Sequence, residues 1–352
     1  PAAQRRRPGQ GHQVAVVRRP CVASFPHPER NNPRRIFSLH TLTPAVILLS
    51  LFLPRCDVRL PKPCAAVPAD MKCVPGGPVI RGTDHGAKST RPAIRAWVDT
   101  FYMDTTEVTV KEFEACAAAG KCPYQKTNYK GFSEPDQPKV GVNWYAAKAF
   151  CEAHGKRLPT EAEFEKAIRG PNGELYAWGN EPVTCERAIY KHPKLGRGCG
   201  RKSPKEDTGA TWPVKSRPVG RYGLYDINGN ADEWVLDWYT FGGYAECGSD
   251  CLGVNPKGPC QGAEKCPGYD ERIVKGGSWF WDPSHFAGYY RRPHDPHNRK
   301  EYHHFGFRCA RDASSSLDFP IALYNHLLQA WLRILGTPAW WDVPHKGEQK
   351  EP

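Results

Sequence analysis

Eight of the fourteen cysteines fall as close pairs, Cys116/Cys122, Cys185/Cys199, Cys247/Cys251 and Cys260/Cys266. Each pair would close a short loop, which commits the chain to a stapled, turn-rich architecture. Zinc is the competing use of such pairs. None has the two-residue spacing of a zinc knuckle, and they sit in Gly/Pro/Lys stretches rather than ligand-bearing hairpins. Disulfides formed in an oxidising compartment are the preferred reading. The 33 Gly, 34 Pro and 11% aromatic residues agree with it: many turns around an aromatic core, without long amphipathic helices. At 352 residues there is room for one large domain or two ordinary ones.

The net charge of +12 does not describe a nucleic-acid-binding face. Residues 1–64 hold eleven Lys or Arg against Glu29 and Asp57, which is +9, so about +3 remains for everything after them. Within that basic leader an apolar segment, 36–53, follows Arg34-Arg35 and reads as a signal or anchor core, its apolar run Ala45–Leu53 being short for a membrane span. The chain is therefore expected to be exported to a periplasm, cell envelope or extracellular space. Three parts follow: a leader over 1–64, a globular domain over 65–312 and a tail over 313–352. In the tail, apolar residues recur at helical spacing over 319–336. Membrane contact, if there is any, would run only through the N-terminal segment or this C-terminal helix.

Inside the globular part, Val98–Met103 alternates like a strand. Thr109-Val-Lys-Glu112 and Thr160-Glu-Ala-Glu163 are capping boxes opening helices that stop at Gly120 and Gly170; Asn143 caps a third helix, which stops at Gly155. Arg272–Trp281 reads as a strand entering a Gly-Gly turn, and Phe305–Arg311 as a closing strand. Short helices between strands, joined by aromatic-rich loops, make an α+β fold. The stretch Tyr222–Tyr239 gathers aromatics around a turn, with Asp226 and Glu233 on either side. Two hard carboxylates with backbone carbonyls between them can cage Ca²⁺; the alternative is a tight turn with solvated acids.

Several segments together resemble the formylglycine-generating enzyme (sulfatase-modifying factor) family. They are Val98–Thr109, Val142–Ala147, Gly155–Phe164, Ala177–Asn180, Gly223–Trp234, Lys275–Trp279 and Gly306–Cys309, in the family's order. The resemblance implies a single loop-rich mixed fold of the C-type-lectin-like type. It implies Ca²⁺ held by the side chains of Asp226 and Glu233 and the carbonyls of Gly229 and Ala231. The family's second calcium site falls at Ala188-Ile189, which offers no side-chain oxygen. It also implies a disulfide between Cys151 and Cys309. Its activity is the O₂-dependent oxidation of a sulfatase cysteine to formylglycine on a Cu(I)-bearing thiolate pair. Here the two thiolate positions hold Trp281 and Phe286, and no cysteine lies between Cys266 and Cys309. A further family disulfide maps to Ile168 and Arg291. Copper is not expected.

What fills that region is polar and aromatic. An Arg-plus-aromatic pocket lined by Ser278, Trp279, Trp281 and Arg292 would suit a peptide, protein or glycan ligand. His294 and His297, in a loop over 282–304 rich in His and Asp, would be the ligands of a non-haem iron. The leading expectation is a calcium-pinned binding or scaffold member, a pseudoenzyme. An oxidoreductase of altered, iron-dependent chemistry is the rival, and an envelope interaction protein working through the 319–336 helix is a third class.

Overall fold

A computed structural model describes residues 61–126, 129–202, 209–300 and 302–313. The apolar segment 36–53 and the helix expected over 319–336 lie outside the described residues. Among the described residues no helix is long and apolar enough to cross a membrane.

Three small sheets and three main helices enclose the core. β1 (Met71–Val74), β4 (Phe101–Asp104) and β10 (Ala310–Asp312) form one antiparallel sheet with β4 at its centre. β2 (Gly77–Arg81) pairs antiparallel with β3 (Ile94–Val98), which pairs parallel with the two-residue β6 (Gly253–Val254). The third sheet carries the candidate site. Its strands lie in the spatial order β8 (Arg292–His294), β7 (Arg272–Lys275), β5 (Asp232–Trp238) and β9 (Phe305–Gly306).

The helices start where the sequence signals them. In α1 (Val110–Ala118) and α3 (Glu161–Arg169) both halves of the capping box are made, so hydroxyl and carboxylate each satisfy an orphan amide. Asn143 caps α2 (Trp144–Ala153) by accepting from the Ala146 amide at 2.8 Å. α3 stops at Gly170, whose φ of +61° no β-carbon-bearing residue adopts cheaply. Three expected strands differ from the sequence pattern, and the closing strand Phe305–Arg311 divides into β9 and β10, which lie in different sheets. Val98–Met103 breaks at Asp99-Thr100, where the Asp99 amide donates to Asn255 Oδ1 at 2.7 Å instead of a ladder partner. The strand from Arg272 ends at Lys275, because Gly276 and Gly277 turn to φ of +92° and +76°.

All twelve described cysteines are paired in six bridges. Four are the pairs expected from close spacing: Cys116–Cys122 behind α1, Cys185–Cys199, Cys247–Cys251 and Cys260–Cys266. Cys116 and Cys122 are both buried and belong to the core cluster around Phe113 and Phe150. Cys185 and Cys199 pack beside Ala188, Tyr190 and Phe286, so this staple holds the long loop that backs the cleft region. Cys151–Cys309 ties α2 to the segment before β10, as the resemblance implies. Cys64–Cys73, nine residues apart, is a further short-loop bridge that was not among the expected pairs. Where the family would bridge residues 168 and 291, Ile168 is core and Arg291 joins a buried ion network. Glu161 takes Arg291 and Arg81 at 2.7 Å each, with Lys275 at 3.7 Å. Burial alone would raise its carboxyl, but these three cations hold it down to about 2.

Candidate functional site

Alternation along β5 divides its first two acids between opposite sides of the sheet. Glu233 faces Arg308, which grips both its oxygens at 2.7 Å in a fully buried fork. Asp232 faces Arg292 of β8. Two sites follow from that division.

On the Glu233 side lies the turn expected to hold calcium. Asp226 is buried, with Oδ2 accepting from the Lys215 amide at 2.7 Å. Glu107 anchors the turn by accepting from the Ala231 amide and from Asn230 Nδ2, both at 3.0 Å. Burial first, then the Asp226 and Glu233 charges, push the Glu107 carboxyl well above its usual range. Three buried acids against the one buried arginine are a local excess of negative charge. Among the described residues the Gly229 and Ala231 carbonyls accept no hydrogen bond. Arg308 occupies both oxygens of Glu233, so the oxygens left at this turn are Asp226 Oδ1 and the Gly229 and Ala231 carbonyls, and among the described residues no metal-holding group of three such side chains forms here. Ala188 and Ile189 are buried apolar residues, so the second calcium position has no side-chain donor.

On the Asp232 side is a cleft of about 780 Å³. Trp281 and Arg292, two of the expected pocket residues, line it together with Tyr129, Phe280, Tyr302 and the imidazoles of His294, His303 and His304. The Arg292 guanidinium lies 4.2 Å above the Trp281 ring, and that of Arg197 lies 3.9 Å above Phe280. His304 stacks on Phe280 at 5.2 Å. The other two expected pocket residues do not line it. Ser278 and Trp279 are fully buried, Trp279 among Phe132, Val140 and Ile189, because the Gly276-Gly277 turn aims them into the core rather than outward. Phe286 is also core, packed with Ala188 and Tyr190.

The two histidines expected as iron ligands sit on different partners. His294 packs against Trp234 and Phe305, with Nε2 3.2 Å from Asn298 Oδ1. His297 packs against Tyr145, with Nδ1 3.1 Å from Asp295 Oδ1. Among the described residues no three His, Cys, Asp or Glu side chains come together as a metal-holding group.

Arg292 in the cleft wall and the carboxylate behind it hold what sequence reading missed. Asp232 Oδ2 and Arg292 Nη1 stand 3.5 Å apart in an open ion contact, and neither has a hydrogen-bond partner among the described protein atoms. The same is true of Trp281 Nε1, His303 Nδ1 and both ring nitrogens of His304, which is 3% exposed. Burial raises Asp232 to about 6 despite Arg292 and Ser278 beside it. Burial lowers His294 and His303 to about 4 each and His304 further, with Arg292 adding to the effect at His304. All three imidazoles are therefore neutral at pH 7. A signal for Asp232 was present: it precedes Glu233 on one strand and so must face the other way.

A mixed, disulfide-stapled fold with a turn of this kind and a cleft beside a Gly-Gly-Ser corner defines a class, and comparison with known proteins identifies it. The sulfatase-modifying factor enzyme 1-like domain matches residues 59–313. The chain is 30% identical over 296 residues to the formylglycine-generating enzyme of Bos taurus, covering 70% of this chain and 75% of that one. It is 28% identical to the inactive C-alpha-formylglycine-generating enzyme 2 of Mus musculus, over 78% of this chain and 95% of that one. Among solved structures, PvdO from Pseudomonas aeruginosa superposes with a TM-score of 0.53 at 23% identity, over 69% of this chain and 94% of that one, which supports the fold. The chain belongs to the sulfatase-modifying factor family.

Proposed function

We propose that this protein is an exported, calcium-pinned family member that holds a segment of a peptide or protein in the Trp281–Arg292 cleft without performing the copper–thiolate oxidation. The carrying observation is the replacement at the reaction centre. Trp281 stands at one thiolate position and is covered by Arg292, Phe286 at the other is sealed in the core, and every described cysteine is spent in a disulfide. Cu(I) needs soft sulfur donors, and none is offered there. Six disulfides support an oxidising compartment. The cleft's size and its rings flanked by arginine suit an extended peptide. In this reading Ca²⁺ has a structural role, held by Asp226, Glu233 and the Gly229 and Ala231 carbonyls.

The test is selection of a displayed random decapeptide library on the immobilised full chain, with Arg292→Ala as control. The reading expects sequences enriched on the native chain and lost on the variant. Enrichment that is absent, or indifferent to Arg292, contradicts it.

A further inference from the structure

Resting on that reading of the cleft, we propose a defined subsite in its wall: Arg292, His304 and Trp281, with the Asp232 carboxylate behind Arg292, receive an uncharged polar side chain of the bound peptide, an amide or a hydroxyl that both donates and accepts hydrogen bonds. Buried polar groups in native proteins are almost always paired, so a cluster of orphans in one place calls for an external partner. Here the orphans are Asp232 Oδ2, Arg292 Nη1, Trp281 Nε1 and the two ring nitrogens of His304. Arg292, Trp281 and His304 line the cleft together, and the buried Asp232 lies behind Arg292 at 3.5 Å, with Trp281 under the guanidinium at 4.2 Å.

The chemistry of the occupant follows from counting charges and hydrogen-bonding roles. Arg292 contributes one positive charge and Asp232 one negative, while the imidazole of His304 is neutral at pH 7. With Arg197 over Phe280, Arg299 and Lys300 at the rim and the lining acids Glu271 and Asp295, four cations face three anions, so the cleft is close to electroneutral. A ligand carboxylate seated there would lie near Asp232, and a ligand ammonium near Arg292, each leaving one buried charge uncompensated. An amide or hydroxyl leaves none. The orphans that line the cleft contain both kinds of group: Arg292 Nη1 and Trp281 Nε1 only donate, and neutral His304 has one nitrogen of each kind. A group that only accepts or only donates would leave part of the set unpaired, whereas Asn, Gln, Ser or Thr can answer both. Arg299 and Lys300 at the rim are exposed, so water and salt screen their charges from the subsite.

The experiment compares the consensus from the decapeptide library on the full native chain with that on Asp232→Asn, an isosteric change that removes the negative charge behind Arg292. The native chain is expected to enrich one position in Asn, Gln, Ser or Thr at least tenfold over Asp, Glu, Lys and Arg. On Asp232→Asn that position is expected to shift at least tenfold toward Asp or Glu. Thermal unfolding of the variant within a few degrees of the native chain establishes that both present a folded cleft. If the variant unfolds early, Asp232→Ser replaces it with the same charge prediction. A native consensus that is charged, or one unmoved by removing the Asp232 charge, overturns the subsite while leaving peptide capture standing. No enrichment on either protein overturns peptide capture and the subsite with it.

Discussion

Replacing His304 by Phe tests whether the buried imidazole belongs to a ligand site or to the fold. His304 stacks on Phe280, both its ring nitrogens are unpartnered, and burial together with Arg292, His303, His294 and Arg197 keeps it neutral far below its ordinary range. The unfolded chain binds a proton at this residue below about pH 6.5 and the folded chain does not. Stability therefore falls as pH drops from about 6.5 toward the folded value. Near pH 5 the difference is close to one proton, which sets a slope of about 1.4 kcal/mol per pH unit from this residue alone. Phe removes that proton linkage and keeps the ring stack. At pH 7, where His304 is neutral in both states, Phe also removes two unpaired buried nitrogens, a change worth about 1 kcal/mol in favour of folding. Urea unfolding of the two proteins at several pH values between about 5 and 7 reads both effects. We expect the variant to be more stable at pH 7 and its pH slope to be shallower by about 1.4 kcal/mol per unit. A variant destabilised at pH 7, or one with the native slope, refutes the assignment of a neutral, unpaired imidazole in the cleft wall.

Calcium in excess is expected to raise the unfolding temperature and a chelator to lower it, with the response abolished in Asp226→Ala; scanning calorimetry with and without Ca²⁺ checks this. Opening the Cys151–Cys309 bridge by double substitution to Ala frees a loop of 158 residues, which costs roughly 5 kcal/mol in the chain-entropy account. Denaturant midpoints of the purified double variant report it. Arg308→Ala leaves Glu233 buried without its fork and is expected to cost about 3–5 kcal/mol. Loss of soluble folded protein, or a midpoint shift of that size, is the expected result, and a change under about 1 kcal/mol would contradict the burial of that pair.

Much of the fold was legible because its signals are local. The capping boxes at Thr109 and Thr160, the Asn143 cap and the terminal glycines fix helix starts and ends through hydrogen bonds within four residues. Close spacing gave four bridges, among them Cys116–Cys122 and Cys185–Cys199, and the ordered motifs gave the family and the long-range Cys151–Cys309 link. The strand breaks at Asp99 and Gly276 were harder, since the first depends on Asn255, 156 residues away. The site was half legible. Trp281 and Arg292 were found by position, but the turn buries Ser278 and Trp279, a matter of backbone direction that composition does not reveal. His304 stood out only as one histidine among several. That its ring nitrogens have no hydrogen-bond partner among the described residues is a property of packing by Phe280, Trp281 and Phe305. Asp232 was overlooked beside Glu233 although strand alternation separates them.

The most direct measurement incubates the folded full chain, supplied with Cu(I) and O₂, with a sulfatase-type cysteine peptide and follows the peptide sulfur by mass spectrometry alongside copper content. The account predicts peptide recovered with its cysteine intact and no stoichiometric copper on the protein. Conversion of the cysteine to formylglycine, with about one copper retained per chain, would contradict it.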